Sequence, residues 1–480
     1  MNYRLISQIL GRVLALEGLL MVIPLIVAMI YHESVLPFVY TILIIAVISA
    51  VLMRFRPVTR ELYALEGFVV VSLAWIIMSA LGALPFMFSG EIPKFVDAFF
   101  ETVSGFTTTG ATIIPNVEMI GKGTMFWRCF TNWIGGMGVL VFVMFVLPMN
   151  EEHSMHILRA EMPGPIIGKL VPKVQSTSKI LYLIYTAMTL VIVGLLMLGG
   201  MNLYDALVHA FSTAGTGGFS NYASSVAHFD SAYIDYVIGI GLLFFGVNFN
   251  LYFLLLLRRY KEVVRNEELL WYIGIVLAAS VLIALTTIKD YGTFMNAFRY
   301  AFFQVSSIIT TAGHITANYD LWPMFAQCIL FLLMFTGASA GGTNGGVKIS
   351  RLLIACKTLK NDIIKQIRPR EVNTVIVNGE VVSKKTQHTT MVFIVLYVFI
   401  VIVGTIIVSL DNFAFTDTFT AVLACMGNIG PGSGVCGPAG NFASFSDLST
   451  FVLTLCMLIG RLEIFPMLIL FMPMSWKKKF

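Results

Sequence analysis

Four short hydrophilic stretches, each built around glycine, recur along the chain between long apolar runs. We number them glycine loops 1 to 4: Phe106–Thr112, Phe211–Gly217, Ile309–His314 and Gly427–Gly432. The amphipathic segment before each loop is too short to cross a hydrocarbon core of roughly 30 Å, which needs about 20 residues of helix. The order of apolar span, short segment, glycine loop and second span therefore predicts a fourfold repeat whose short segments re-enter the membrane. Such re-entrant backbone is tolerated only where it lines a cavity in protein.

Composition restricts the chain to membrane proteins. Of the 480 residues, 58% are hydrophobic and 12% are charged, and the mean hydropathy is +0.86. Soluble domains carry about 25% charged residues. The net charge of +5 does not indicate a nucleic-acid partner, because the basic residues gather in particular loops, as the orientation of a protein in a bilayer requires. We predict an all-α polytopic protein embedded in the lipid bilayer.

The apolar runs divide the chain into an N-terminal two-helix hairpin and four repeats. The predicted division is residues 1–60 for the hairpin and residues 61–178, 179–266, 267–388 and 389–480 for repeats 1 to 4. Two spans per repeat and the hairpin give ten transmembrane helices. Three of the second spans are expected to be continuous: Trp127–Leu147, Tyr236–Leu257 and Phe451–Phe471.

Basic residues mark the loops that are expected to face the cytoplasm, where Lys and Arg are enriched. The groups are Arg54 with Arg56 and Arg60, Arg159 with Lys169, Lys173 and Lys179, Arg258 with Arg259, Lys261 and Arg265, the stretch Lys348–Lys385, and Lys477–Lys479. All four glycine loops then face outward, and both termini are cytoplasmic. We predict a multi-pass protein of the cell inner (plasma) membrane.

The glycine loops have the residue types of a cation filter. Glycine adopts backbone conformations that other residues resist, and four such strands around one axis could replace the hydration shell of a monovalent cation. Each short helix would point the negative end of its dipole at the ion. The candidate ion ligands are Thr108, Thr109, Gly110, Thr213, Ala214, Gly215, Thr311, Ala312, Gly313, Asn428, Ile429 and Gly430.

A glycine-rich stretch interrupts the apolar run that begins at Trp322. Five of the ten residues Gly337–Gly346 are glycine, and each costs close to 1 kcal/mol of helix stability relative to alanine. We predict a gating loop on the cytoplasmic side of the filter, held by few side-chain contacts and therefore of low local stability. A kink that lets two helices pack closely is the alternative. The candidate gating residues here are Gly337, Gly341, Gly342, Thr343, Asn344, Gly345, Gly346 and Lys348.

Three ionisable side chains lie in or beside apolar runs, so the sequence must provide each with a partner or with access to water. Arg461 lies within the last span, where a charge costs roughly 3 kcal/mol or more. We expect it to face the pore as a further gating residue; the alternative is a pair with Glu463, which two-residue spacing on a helix disfavours. Arg128 is expected to snorkel or pair locally, and His314 is expected to be a surface histidine rather than a proton sensor.

The loops and their arrangement resemble the Trk/Ktr/HKT superfamily of potassium transporters, in particular its TrkH-type membrane subunits. The residues that carry the resemblance are Ser104–Thr112, Ser212–Ser220, Gly337–Lys348 and Gly460–Arg461, together with the N-terminal hairpin. The resemblance implies a pseudo-fourfold pore in one chain, assembly as a homodimer, and a cytoplasmic nucleotide-binding gating ring of the TrkA type. Glycine loop 4 departs from the pattern, because Asn428-Ile429-Gly430 contains no threonine.

These features predict potassium uptake through a selective, gated pore, with the potassium ion as cargo and no organic cofactor. Relatives that favour sodium are known for a serine in place of the first filter glycine, whereas Gly110, Gly215, Gly313 and Gly430 are all glycine here. Sodium selectivity, or sodium- or proton-coupled symport, remains the alternative. An intramembrane enzyme would need a nucleophile with a base or a cluster of metal ligands, which the spans do not offer, so no enzyme activity is predicted.

Overall fold

Among the described residues, six helical segments are long and apolar enough to cross a membrane. The computed structural model describes residues 1–55, 63–138, 174–370 and 373–476. The N-terminal hairpin comprises helices Tyr3–Leu20 and Val22–Ile30, which form one span, and Leu36–Met53. The first spans of repeats 1 to 4 contain helices Ala64–Gly82 with Leu84–Phe88, Val174–Leu198, Glu267–Tyr291 and Lys384–Val408. Their outer faces expose side chains such as Leu43, Leu190 and Ile406, as expected where the surrounding solvent is lipid.

Each first span is followed by one of the short helices predicted to re-enter. We number them short helices 1 to 4: Phe95–Phe106, Leu203–Gly215, Phe294–Ile309 and Phe415–Gly427. Asn202 and Thr293 cap two of them by accepting hydrogen bonds from the backbone N–H groups of Asp205 and Asn296, which would otherwise be unsatisfied. The C-terminal half of each short helix is buried.

In repeats 2 to 4 the second apolar run is interrupted rather than continuous. In repeat 2, helices Ala232–Gly246 and Phe249–Leu256 meet at a bend of 88°, and the short helix Tyr260–Val264 follows. In repeat 3, Met324–Met334 and Ile349–Ile367 flank the glycine-rich stretch. In repeat 4, Asp447–Arg461 and Phe465–Phe471 are separated by Leu462–Ile464, and Pro473–Trp476 ends the described chain.

The prediction of continuous helices over Tyr236–Leu257 and Phe451–Phe471 was therefore wrong. Each break has a local cause. In repeat 2, the Asn248 side chain accepts a hydrogen bond from the N–H of Asn250 and so caps the start of a new helix. In repeat 4, Glu463 and Ile464 have positive φ values of 58° and 64°, which end a right-handed helix. In repeat 1, helix Lys122–Gly136 is described. The rest of the predicted run to Leu147 lies outside the described residues, as do Arg56, Arg60, Arg159, Lys169, Lys173 and Lys477–Lys479.

A small antiparallel hairpin lies near the end of repeat 3. Strand Ile376–Val377 pairs with Glu380–Val381 in the register Ile376 to Val381 and Val377 to Glu380. Asn378 and Gly379, both with positive φ, form its two-residue turn, as this residue pair favours.

Candidate functional site

All four glycine loops bend in the same way directly after a short helix. The N–H of the central residue donates to the carbonyl five residues earlier at 2.8 Å in each loop: Thr109 to Ser104, Gly217 to Ser212, Ala312 to Ser307 and Ile429 to Ala424. The residue before the centre has a φ of 53° to 59° in every loop: Thr108, Thr216, Thr311 and Asn428. The residue after it is a glycine with a φ of 71° to 96°: Gly110, Gly218, Gly313 and Gly430. Four stretches distant in sequence therefore share one backbone conformation.

This conformation shifts loop 2 by three residues from its predicted alignment. Thr213, Ala214 and Gly215 form the last turn of short helix 2, so they are not equivalent to Thr108, Thr109 and Gly110. The equivalent residues are Thr216, Gly217 and Gly218, which were not among the predicted ion ligands. The sequence contains two consecutive candidates, Thr213-Ala214-Gly215 and Thr216-Gly217-Gly218, and the length of the helix decides between them.

The four bends touch in cyclic order and form a closed ring. A Cβ built on the glycine of each loop would lie close to the central carbonyl oxygen of the next loop. The distances are 2.1 Å from Gly110 to Gly217 O, 1.9 Å from Gly218 to Ala312 O, 2.0 Å from Gly313 to Ile429 O, and 2.7 Å from Gly430 to Thr109 O. We call these four carbonyls and their glycines the glycine ring. No side chain larger than hydrogen fits at Gly110, Gly218 or Gly313 without moving this backbone.

The glycine ring opens on one side into a cavity, which we call the vestibule. This cavity of about 130 Å³ is lined by all four ring glycines, and its wall also includes Pro431 and Phe442. Among the described residues, Arg128 is the charged side chain in that wall, and no carboxylate lines it. An ion at the ring would therefore meet backbone carbonyls rather than acidic side chains.

Buried polar pairs hold the loops from behind. The Arg128 guanidinium donates to Glu101 at 2.6 Å and to the carbonyl of Ser220 at 3.1 Å, and it lies 3.5 Å from the centre of the Phe219 ring. Arg128 was expected to snorkel or pair locally: its burial excludes snorkelling, and it pairs with Glu101 of the same repeat. Its bond to Ser220 connects repeat 1 to the residues that follow loop 2. His314 was predicted to lie at the surface, which is wrong: its side chain is fully buried, because His209 and Ser225 of repeat 2 lie against it.

The stretch Gly337–Gly346, which we call the gating-candidate loop, lies against the other end of the ring. The N–H of Gly345 donates to Thr311 Oγ1 at 2.8 Å, and the hydroxyls of Thr343 and Thr216 are 3.3 Å apart. A Cβ on Gly345 would lie 2.7 Å from Cβ of Asn428. The loop thus contacts glycine loops 2, 3 and 4 at the residues that precede the ring, on the side opposite the vestibule.

The broken helix of repeat 2 supports this loop. The N–H groups of Ser339 and Thr343 donate to the carbonyls of Gly246 and Phe245 at 3.1 and 3.2 Å, and the carbonyl of Gly341 accepts from Phe249 at 3.1 Å. The bend at residues 247–248 therefore leaves carbonyls that the gating-candidate loop satisfies. Unsatisfied backbone groups are costly inside a membrane. This explains why the break in repeat 2 and the gating-candidate loop of repeat 3 lie side by side.

Charged side chains clamp both ends of the gating-candidate loop. The buried carboxylate of Glu268 accepts from the N–H groups of Ala340 at 2.8 Å and Ser350 at 3.1 Å. The buried ammonium of Lys348 donates to the carbonyls of Asn344 and, at 3.0 Å, Gly345. The expectation that few side-chain contacts hold this loop is therefore wrong. Its glycines expose backbone groups, and the side chains of Glu268 and Lys348 bind them.

Arg461 connects the gating-candidate loop to repeat 1. Its guanidinium donates to the carbonyl of Thr343 at 2.6 Å and to those of Gly135 and Gly136 at 2.6 and 2.9 Å. The alternative partner, Glu463, instead forms an ion pair with Arg351. Arg461 thus lies on the same side of the glycine ring as the gating-candidate loop. It joins that loop to the end of helix Lys122–Gly136 of repeat 1.

Comparison with known proteins assigns this architecture. A sequence profile of the TrkH family, described as cation transport protein, matches residues 36–478. The chain belongs to the TrkH family. The Trk system potassium uptake protein TrkH of Salmonella typhimurium is 35% identical over 100% of both chains, and that of Vibrio parahaemolyticus is 34% identical over 99% of this chain and 100% of its own.

The TrkH family fold extends over the whole chain. The crystal structure of the potassium transporter TrkH from Vibrio parahaemolyticus matches with a TM-score of 0.90 and 32% identity, covering 99% of this chain and 100% of the other. The Trk system potassium uptake protein TrkG of Escherichia coli is 31% identical over 99% of both chains. The predicted all-α membrane fold and the predicted family are thereby confirmed.

Proposed function

We propose that this TrkH-family protein takes up potassium through a pore whose selectivity filter is the glycine ring. The observation that carries the proposal is the cyclic contact of four equivalent bends below one vestibule. Carbonyl oxygens arranged around an axis replace the hydration shell of a potassium ion, and the described residues of the vestibule wall include no carboxylate that would bind divalent cations instead. The relatives named as potassium uptake proteins support the choice of ion.

The filter residues proposed here are the central residues and glycines of the four bends, together with the residue before each. They are Thr108, Thr109, Gly110, Thr216, Gly217, Gly218, Thr311, Ala312, Gly313, Asn428, Ile429 and Gly430. The short helices end at these residues, so the negative ends of four dipoles favour a cation there. In loop 4, Asn428 replaces threonine, and its amide donates to Thr109 Oγ1 at 3.0 Å, which ties the divergent loop into the ring.

The gating-candidate loop is proposed to close the pore below the filter. It contacts three of the four glycine loops at their inner ends. Helix Ile349–Ile367 follows directly and carries exposed Lys360 and Lys365, so a cytoplasmic partner that pulls this helix would move the loop. We propose that the partner is a nucleotide-binding ring of the TrkA type, and that two copies of this chain assemble in the inner membrane with both termini cytoplasmic.

Ion flux from purified protein in liposomes tests the proposed function. An outward-directed or inward-directed potassium gradient is imposed without a sodium or proton gradient, and flux is followed with sodium as competitor. We expect potassium and rubidium to flow down their gradients, and we expect no comparable flux of sodium down a sodium gradient. Flux that appears only when a sodium or proton gradient is imposed would establish coupled symport instead.

Replacing Arg461 with glutamine is expected to raise rubidium flux about tenfold, the factor that corresponds to loss of one charged hydrogen bond of ~1.4 kcal/mol. The change removes a positive charge below the filter and releases the carbonyl of Thr343 in the gating-candidate loop. The control is Arg351→Gln, because Arg351 is also an arginine largely removed from solvent, but it pairs with Glu463 rather than with the gating-candidate loop. Wild-type flux from Arg461→Gln, combined with a lowered unfolding temperature, would show that Arg461 is structural only.

A further inference from the structure

Three of the four short helices carry a buried polar side chain at one equivalent position, nine residues before the ring glycine. These side chains are Glu101, His209 and Gln304, and the fourth position is occupied by Ala421. All four are no more than 1% exposed. A buried polar group without a hydrogen bond is costly, so three such groups at matching positions require three matching partners.

Glu101 and Gln304 bond to the segment that follows the ring glycine of their own loop. The Glu101 carboxylate accepts from the N–H of Ile113 at 2.8 Å. We assign the Gln304 amide with its oxygen toward the N–H groups of Thr316 and Ala317, at 2.9 and 3.2 Å, because both of these groups are donors. Ile113 and Thr316 are each the third residue after the ring glycine, so the two contacts are equivalent.

His209 makes the corresponding contact through a serine. Its Nδ1 lies 2.9 Å from the carbonyl oxygen of Asp205, which can only accept, so Nδ1 carries the hydrogen. In the neutral ring Nε2 then accepts from the hydroxyl of Ser220 at 3.0 Å. The same hydroxyl oxygen accepts from the N–H of Tyr222 at 3.1 Å. Ser220 is the second residue after its ring glycine, so these bonds also connect the segment after the ring glycine to the short helix.

Loop 4 is held by a different device. In place of a polar group at Ala421, Asp417 accepts from the N–H of Val435 at 3.2 Å, and Thr420 accepts from that of Ser433 at 3.0 Å. Ser433 is the third residue after its ring glycine, as Ile113 and Thr316 are after theirs, and Val435 is the fifth. The segment that leaves loop 4 is therefore held at a comparable place, but by helix residues other than the one at the equivalent position. The differing brace accompanies the loop whose sequence departs most from the other three.

We propose that Glu101, His209 and Gln304 are positioning residues for ion selectivity, one for each of glycine loops 1, 2 and 3. The proposal rests on the proposed function, in which the glycine ring is the filter. Each side chain connects the segment that follows the ring glycine to the short helix that precedes it. It thereby sets the position of the central carbonyl, which lies between the two. A ring whose carbonyls can move inward accommodates the smaller sodium ion, so loss of a tie lowers discrimination rather than total flux.

The test compares potassium-to-sodium permeability ratios of variants in liposomes. Gln304→Met and His209→Leu keep the side-chain volume but remove the bonding atoms, and each is expected to lower the ratio about tenfold, the factor for one buried hydrogen bond. His209→Gln, which restores a polar group as found in short helix 3, is expected to stay within about twofold of wild type. Thr418→Val is the control: it lies in short helix 4, and its buried hydroxyl has no hydrogen-bond partner among the described residues.

Two comparisons keep the result interpretable. If Gln304→Met does not fold, Gln304→Asn retains the amide but is too short to reach Thr316, and the same loss of ratio is expected. Unchanged ratios in the Gln304 and His209 variants, together with a lowered ratio in Gly110→Ser, would overturn this proposal and leave the filter assignment intact. An unchanged ratio in Gly110→Ser as well would overturn both.

Discussion

Gly110→Ser is expected to lower the potassium-to-sodium permeability ratio by about tenfold or more, which corresponds to ~1.4 kcal/mol of lost discrimination. A Cβ on Gly110 would lie 2.1 Å from the carbonyl oxygen of Gly217, and the φ of +78° is one that side chains rarely adopt. The ring must therefore shift where loops 1 and 2 meet, and the carbonyl of Gly217 moves. Reversal potentials in potassium and sodium gradients measure the effect.

Gly90→Ser provides a matched control for this substitution. Gly90 has almost the same backbone conformation, with a φ of +79°, but nothing lies within 4 Å of its added Cβ. Both variants therefore carry similar backbone strain, and only Gly110→Ser disturbs the glycine ring. Equal ratios in Gly110→Ser, Gly90→Ser and the wild type would remove loop 1 from the filter.

Removal of Gly342–Asn344 is expected to raise basal flux about 100-fold and to make it independent of a cytoplasmic partner. The deletion removes the bonds from Thr343 to Phe245 and Arg461, and it withdraws Gly345 from Thr311. Three hydrogen bonds of ~1 kcal/mol each favour the closed state by a factor of this order. Initial rubidium uptake by the purified protein, with and without its partner, measures the change.

The ion selectivity of the shortened protein serves as an internal control. Because the glycine ring is intact, the potassium-to-sodium ratio should equal that of the wild type, whereas a nonspecific leak would lose it. A shortened protein that folds, keeps its selectivity and still conducts no faster than wild type would show that this loop is a packing kink rather than a gate.

The repeat was predictable from sequence because its signal is local. Glycine favours bends with positive φ, and helices shorter than a span must re-enter, so loops 1, 3 and 4 were assigned to the residues that form the ring. Loop 2 was misaligned because Thr213-Ala214-Gly215 and Thr216-Gly217-Gly218 both match the pattern of threonine, a small residue and glycine. The position of His209, nine residues before Gly218 as Glu101 is before Gly110, is a signal that resolves the alignment.

The broken second spans were less accessible, because hydropathy continues across them. Asn248 and Asn250 in one run and Pro466 in the other were local signs of a break. The partners of the gating-candidate loop could not be predicted, since Glu268, Phe245 and Arg461 come from three different repeats and meet only in the folded chain. The burial of His314 has the same origin, because its environment is contributed by repeat 2.

Anomalous scattering from protein crystals grown with thallium or rubidium tests the glycine ring most directly. We expect an ion peak on the axis of the ring, enclosed by the carbonyl oxygens of Thr109, Gly217, Ala312 and Ile429, between the vestibule and the gating-candidate loop. Competition by potassium should remove this peak, whereas the same concentration of sodium should leave it. Ion peaks confined to other parts of the protein, with none inside the ring, would contradict the account.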